Sequence, residues 1–518
     1  MPERWSSSRE TFTARSADWR GNSNGAAMPD GAAGRAAPSV RTRTSSDEGR
    51  RTPVHVVWEL TLACNLKCVH CGSRAGRARP DELSTEECLE VVRQLRDLGT
   101  REISIIGGEA YLRRDWLEIV AAISQAGMRC SLQTGARAFT PQKIAAARAA
   151  GLAAAGVSVD GPPDVHDRLR GVPGSFERCI EAIRNLAAVG IRPGVNTQIN
   201  RLSMSRLGEL YPSLRDAGFK LWQLQLTVPS GNASDREDLI VQPYELPALY
   251  DEIARLFLRA QGDGVRIFAG NNIGYFGPHE HLWRTVTGEP EAWEACQAAQ
   301  TTLALEADGT VKGCPALHKE TYGGGSIREH SLAAAWDEMG GAVRRRVRPP
   351  LSGFCGSCYY ASRCAGGCTW TAGAVMGTPG NNPFCDYRAR TLGRAGLRER
   401  LVLAGPAPGE PFDSARWTLL TETLDGLEAP ADALPQGPAA PPDAPDRLFP
   451  CSGCKQFLFE GEDQCVHCGT AVAEAPAETP LPSVIAALHR ALESIGREDA
   501  ACQAELSAIR ARSSIEAR

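Results

Sequence analysis

Short β-branched and aliphatic runs recur along the first half of the chain, separated by stretches whose apolar residues return every three to four positions. The runs are VHVVWELT from Val54, EISIIGG from Glu102, RCSLQTG from Arg129, GVSVDG from Gly156, PGVNTQIN from Pro193 and LWQLQLTV from Leu221. Such runs predict strands, and the stretches between them predict amphipathic helices. One helix start is marked clearly: Ser84 and Glu87 have capping-box spacing, and Cys88, Val91, Val92, Leu95 and Leu98 form one apolar face before Gly99. Six strands alternating with helices predict an α/β fold with a parallel sheet. Six βα units fall short of the eight in a closed barrel, so the expected form is a partial (β/α)6 TIM-type barrel over residues 51–290.

Beyond about residue 290 the alternation ends, and Gly, Cys and aromatic residues dominate to residue 400. Residues 291–400 have too little apolar periodicity for a large core, so bound clusters are expected to hold them together. Residues 1–50 are rich in Ser, Arg, Gly and Ala without periodicity and read as disordered. Residues 401–446 are Pro- and Ala-rich and read as a linker. A four-cysteine module follows over 447–472, then a tail over 473–518 in which LPSVIAALHRALESIGRE predicts a short helix.

Composition narrows the class. The 42% hydrophobic and 23% charged content suits a globular protein, and a net charge of -4 gives no basic face for nucleic acid. No apolar stretch approaches the roughly 18 residues of a membrane span, and the N-terminus has no apolar signal region. A cytoplasmic location is expected, where thiols stay reduced. There, closely spaced cysteines read as metal ligands, and 14 of the 18 are so grouped. Cys88, Cys130, Cys179 and Cys502 stand alone and read as small buried hydrophobes.

Cys64, Cys68 and Cys71 fall on one tight loop straight after the first strand. Three thiolates are one fewer than the four irons of a cubane cluster, which leaves one iron open to a ligand; a zinc loop with a distant fourth ligand is the alternative. Cys296 and Cys314, then Cys355, Cys358, Cys364, Cys368 and Cys385, form a second group. Seven cysteines divide poorly into tetrahedral zinc sites. Cys451, Cys454, Cys465 and Cys468 are a paired Cys-x-x-Cys module. That pattern reads as a zinc ribbon, with a rubredoxin-like iron site as the alternative. Arg344, Arg345, Arg346 and Arg348 read as a solvated surface.

The Cys64–Cys71 loop resembles the signature of the radical S-adenosylmethionine (SAM) superfamily, with His70 in its aromatic position. The resemblance implies that the open iron of a [4Fe-4S] cluster chelates SAM and that reductive cleavage yields a 5′-deoxyadenosyl radical. Gly107-Gly108-Glu109-Ala110 is similar to the Gly-Gly-Glu-Pro motif that receives the SAM amino group, with Ala110 in place of Pro. The stretch from Val157 to Gly161, followed by His166, Asp167, Arg170, Gly171 and Gly174 to Phe176, resembles a strand region of radical SAM peptide maturases. Ser158 and Asp160 would face the cofactor; Asp160 before Gly161 can also be a turn former.

The seven-cysteine group resembles, cysteine for cysteine, the SPASM extension of these enzymes. The resemblance implies two auxiliary [4Fe-4S] clusters, one held by Cys355, Cys358, Cys364 and Cys385 and one by Cys296, Cys314 and Cys368. The cysteine that completes the second set in other members is absent from TVTGEPEAWEA, so its last iron is open or takes Glu289, Glu291 or Glu294. Across residues 54–400 the chain is similar to maturases of ribosomally made peptides, closest to those paired with Tyr…Gly-Asp-Leu precursors. The implied reaction is hydrogen-atom abstraction from a precursor peptide, supplied with electrons by a flavodoxin- or ferredoxin-type donor. The alternatives are oxidation of a small molecule such as a tetrapyrrole side chain, or a non-catalytic electron carrier.

Overall fold

In the computed structural model the described residues are 52–284 and 291–472, apart from 431, 432, 436, 442, 443 and 446. The predicted disordered segment, the tail helix, Cys502 and Glu289 lie outside them. All six predicted strands form: β1 (His55–Thr61), β2 (Glu102–Gly107), β3 (Arg129–Thr134), β4 (Ala154–Ser158), β5 (Arg192–Ile199) and β6 (Leu221–Leu226). Among them run α1 (Thr85–Asp97), α2 (Trp116–Gln125), α3 (Pro141–Ala149), α4 (Pro163–Arg170), α5 (Ser175–Ala188) and α6 (Leu207–Ala217), with α7 (Leu246–Gly262) after β6. The α1 start is the expected capping box: Ser84 Oγ accepts from the Glu87 N–H at 3.2 Å, and Glu87 Oε2 accepts from the Ser84 N–H at 2.8 Å.

The strands β1 to β6 pair in parallel in chain order, and β7 (Arg266–Ala269) extends that edge. Only four residues long, β7 gives no run that stands out in the sequence. On the other edge β8 (Thr302–Leu305) pairs in parallel with β1, and β9 (Thr310–Lys312) and β10 (Gly323–Ser326) continue antiparallel. The ten-stranded order ends at β7 and β10, so the barrel stays open. The expected boundary at residue 290 does not divide this sheet, because β8 to β10 come from beyond it. Trp58, Trp222, Ile105 and Leu132 are buried between sheet and helices, and Cys88, Cys130 and Cys179 are buried as expected. Among the described residues no helix is long and apolar enough to cross a membrane.

Past the sheet come α8 (Leu332–Arg346), α9 (Thr369–Met376) and α10 (Asp386–Arg394). The linker reading is then corrected: β11 (Leu397–Gly405) and β12 (Arg416–Thr423) form an antiparallel hairpin. Leu401 is buried, and Glu399 makes a buried ion pair with Arg388 at 2.6 Å. The alternation of inward and outward residues along β11 outweighs the Pro-rich composition nearby. Pro406 to Phe412 is the hairpin's loop, and it folds over the first cysteine loop: the Phe412 N–H donates to Gly72 O at 2.7 Å, and Arg74 pairs with Asp413 at 2.9 Å. Finally β13 (Leu448–Pro450) and β14 (Phe457–Phe459) form the small four-cysteine module.

Candidate functional site

The loop bearing Cys64, Cys68 and Cys71 leaves β1 at the C-terminal end of the parallel strands, where barrel enzymes build their sites. Its backbone is strapped to the end of α4, with Lys67 N–H donating to Arg170 O (3.1 Å) and Val69 N–H to Leu169 O (2.9 Å). Gly171 ends α4 at φ +65°, and a Cβ there would meet Lys67 O at 2.5 Å, so glycine is required. Burial pushes the Cys64 thiol up to about 12 and Cys68 to about 11, so ionisation needs a cation among them.

Beneath the loop lies a buried charge network that motif spacing did not disclose. Asp160 is fully buried, with Oδ2 2.7 Å from Arg170 Nη2 and 3.2 Å from His70 Nε2, and Oδ1 accepting the Gln198 N–H at 3.0 Å. Arg170 Nη1 in turn reaches Cys68 Sγ at 3.7 Å. Burial works against the Asp160 carboxylate, but Arg170 and His70 outweigh it and hold the group well below the usual range. Asp160 therefore fixes His70 and Arg170 under the cysteine loop rather than forming a turn. The signal available in the sequence was Arg170-Gly171 in the matched stretch.

His166 completes the network, accepting the Asp160 N–H at Nδ1 (3.1 Å) with Ser175 Oγ 3.2 Å from Nε2. Burial, helped by the Arg170 charge, lowers its pKa from 6.5 to about 4. Between those values the unfolded chain binds a proton that the folded one refuses. Stability from this group is thus complete above pH 6.5 and is lost as pH falls toward 4. The loss is roughly 3 kcal/mol, at about 1.4 kcal/mol per tenfold in proton affinity. His166→Gln should lessen the drop in urea midpoint between pH 7 and pH 4.5; an unchanged drop would refute this role.

The Gly-Gly-Glu element closes β2 beside the cysteine loop. A Cβ on Gly107 would meet Thr61 O at 2.1 Å, and one on Gly108 would meet Ala63 O at 2.3 Å. The two glycines thus let β2 pack against the entry to the cysteine loop. Glu109 is buried and accepts from Thr134 Oγ1 (2.5 Å) and the Gly135 N–H (2.6 Å). Burial raises its pKa to about 7 against those two bonds. Ser158 closes β4, where its carbonyl faces Cys179 Sγ at 3.5 Å.

A cavity of about 560 Å³, its open mouth included, adjoins the loop. Its walls include His70 and Gly107 of the expected cofactor residues, but not Gly108, Glu109, Ser158 or Asp160. Glu59 from β1, Gln198 from β5, Thr227 after β6, Trp370 from α9 and Phe412 from the hairpin loop complete much of the lining. Three buried polar atoms in these walls have no protein partner: His70 Nδ1, Thr227 Oγ1 and Trp370 Nε1. Unsatisfied buried polar atoms are costly, and these three belong to residues that line one cavity.

The seven-cysteine extension divides into two sets. Cys355, Cys358, Cys364 and Cys385 line one cavity walled by Phe276, Phe354, Tyr360 and Tyr387. Burial pushes Cys358 up to about 12, and Cys364 and Cys385 well above the ordinary thiol range. Cys368 is buried and Cys314 half-buried, and the neighbouring Cys296 adds to the desolvation that pushes both thiols up. Of the carboxylates considered beside it, Glu294 is ion-paired with Arg363 at 3.1 Å and Glu291 is half-buried. Of the arginines read as a solvated surface, Arg345, Arg346 and Arg348 are exposed, while Arg344 is half-buried and donates to Ala299 O at 3.0 Å.

Among the described residues, only Cys451, Cys454, Cys465 and Cys468 converge closely enough for a single ion. Cys451 and Cys468 are 3.8 Å apart, Cys454 and Cys465 3.7 Å. A tetrahedron of sulfurs at ~2.3 Å from its metal has edges of ~3.8 Å, so one ion fits. A cubane needs wider spacing, since each thiolate binds a different iron. This module seats on the neighbouring four-cysteine cavity. Tyr360 Oη donates to Phe457 O (2.7 Å) and lies 2.9 Å from His467 Nε2, while its ring stacks on Phe276 with centroids 4.1 Å apart.

An open parallel barrel with a three-cysteine loop at its C-terminal mouth defines the class of a cluster-bearing barrel enzyme. The chain matches the radical SAM superfamily over residues 58–201 and so carries a radical SAM domain. It is 26% identical over 371 residues to an AdoMet-dependent heme synthase of Nitratidesulfovibrio vulgaris, covering 68% of this chain and 98% of that protein. It is 29% identical over 355 residues to the mycofactocin maturase MftC of Mycobacterium tuberculosis, covering 67% of this chain and 86% of that one. Among solved structures, Streptococcus suis SuiB bound to S-adenosylmethionine shares the fold, with a TM-score of 0.51, 19% identity and coverage of 62% and 73%. The superfamily implies SAM and one [4Fe-4S] cluster. The half-buried three-thiol loop, beside a cavity whose lining residues include three with an unpartnered polar atom, fits both.

Proposed function

We propose that the protein is a radical SAM/SPASM maturase that abstracts hydrogen from a ribosomally made precursor peptide. The observation that carries this reading is the composition of the cavity: the barrel, the cysteine-rich extension and the hairpin loop all contribute walls beside the three-cysteine loop. The bound cofactors supply the hydrogen-abstracting radical. Cys64, Cys68 and Cys71 would hold the cluster that binds SAM. Asp160, through His70 and Arg170, fixes the loop, and Phe412 and Trp370 screen the cavity from water. The sets Cys355/Cys358/Cys364/Cys385 and Cys296/Cys314/Cys368 would hold two auxiliary clusters, and the ribbon one zinc. A flavodoxin- or ferredoxin-type donor would supply electrons.

Co-expression with a short precursor peptide carrying the Tyr…Gly-Asp-Leu pattern, followed by tandem mass spectrometry, should show a mass change confined to one peptide segment. It should vanish when SAM cleavage is blocked. The anaerobically reconstituted protein should hold about twelve irons and about one zinc per chain. Only four to five irons, with extra zinc in residues 291–400, would sink the auxiliary-cluster assignment. An unmodified peptide beside turnover of a tetrapyrrole would favour the small-molecule alternative.

A further inference from the structure

A second cavity, about 1360 Å³ with its open mouth, lies between the base of the β11–β12 hairpin, α10 and the four-cysteine module. Tyr244 and Pro278 give it half-buried apolar walls, and Leu424 lines it while 58% exposed. Three guanidinium groups also face it, those of Arg390, Arg394 and Arg398. Arg390 is taken by Asp251 at 2.6 Å and Asp386 at 2.8 Å, and Arg398 by Glu422 at 3.1 Å. Arg394 is exposed at the end of α10, and its one described hydrogen bond runs from Nε to Arg390 O at 3.3 Å. The one carboxylate in the described lining, Glu399, is buried against Arg388 at 2.6 Å. Among the described residues the cavity therefore offers one uncompensated cation beside apolar surface. A carboxylate next to an aliphatic side chain matches that pair. A nucleic-acid backbone would need a row of free cations, and two of the three here are already neutralised.

The hairpin joins this cavity to the one beside the cysteine loop. Leu397, Arg398 and Leu424 at its base wall the first, and Phe412 in its loop walls the second. Its first strand has nine residues and spans roughly 30 Å at about 3.4 Å per residue, a distance that a similar length of extended peptide crosses.

We propose that this cavity holds an extended acidic segment of the precursor peptide, remote from the residue that reacts, with Arg394 pairing a carboxylate and Leu424 covering the neighbouring aliphatic side chain. That the peptide is a precursor rests on the maturase reading above; the preference for a carboxylate rests on the cavity. The probe is a fluorescently labelled Gly-Asp-Leu segment without the tyrosine, titrated by anisotropy into the reconstituted full chain. Arg394→Ala should weaken its Kd roughly 5- to 10-fold, the scale of one hydrogen bond to a charged group at a part-open site. Leu424→Glu, at an exposed position, should weaken it by a similar factor through like-charge repulsion. Asp→Asn in the probe should cost the wild type as much as Arg394→Ala does, and should cost the Arg394→Ala protein nothing further. Arg178→Ala, which removes an exposed cation of α5, should bind as the wild type does. Equal affinity in the wild type and both cavity variants, or no binding by the wild type, would overturn the proposal. Modification of the complete precursor beside equal Kd values defeats the cavity assignment alone. Arg394-dependent binding of the segment with no modification of the precursor defeats the maturase reading alone.

Discussion

With Cys64, Cys68 and Cys71 replaced together by Ala, formation of 5′-deoxyadenosine from SAM and dithionite should fall to the background of a protein-free mixture. The three thiols sit half-buried on one loop at the barrel mouth, and desolvation pushes Cys64 up to about 12 and Cys68 to about 11. Thiols so placed ionise when a metal takes their charge, and no other three-thiol loop adjoins the central cavity among the described residues. The remaining sets lie elsewhere in the chain, one around its own aromatic cavity. Visible absorbance from the proposed auxiliary clusters should therefore survive in the variant. Undiminished 5′-deoxyadenosine would show that SAM is cleaved elsewhere.

Replacing Asp160 by Ala should destabilise the protein by about 3–5 kcal/mol, the cost of stranding a buried charge. Asp160 is fully buried and lies against Arg170, which is itself only 8% exposed. The guanidinium left behind has Cys68 Sγ at 3.7 Å but no carboxylate, and His70 loses the contact that orients its ring. Iron in the first cluster should fall along with the thermal midpoint, because Cys68 and His70 share the loop that Asp160 fixes. The matched control is Asp164→Asn on the exposed Asp164–Arg206 pair, which should leave both readings where they were. Equal midpoints for the Asp160→Ala variant and wild type would mean that the network carries no stability.

Much of the barrel was legible because its signals are local. Six strands and the α1 start declared themselves within windows of eight or fewer residues, and the Ser84–Glu87 box is made by groups three residues apart. The cysteine sets were legible for a related reason: ligands of one site recur at short spacings, so Cys355, Cys358 and Cys364 could be grouped before the shared cavity was known. The hairpin of β11 and β12 was hidden because six prolines and alanines in and around its loop mask the alternation in its strands.

What the sequence determined by itself was the alternation that demands a parallel sheet and the chemistry of its cysteines, both written in neighbours along the chain. Tertiary structure alone decided which distant segments share a wall. It set β8 against β1, with Glu59 held through Arg79 and Ala307, and it laid Phe412 over Gly72. It carried Trp370 into the barrel's cavity and gave the glycines of the Gly-Gly-Glu element a packing task against Thr61 and Ala63. The physical reason is that such contacts are chosen by burial and by the pairing of buried charges across long loops. Closing a longer loop adds little cost, so no local pattern records which partner is chosen.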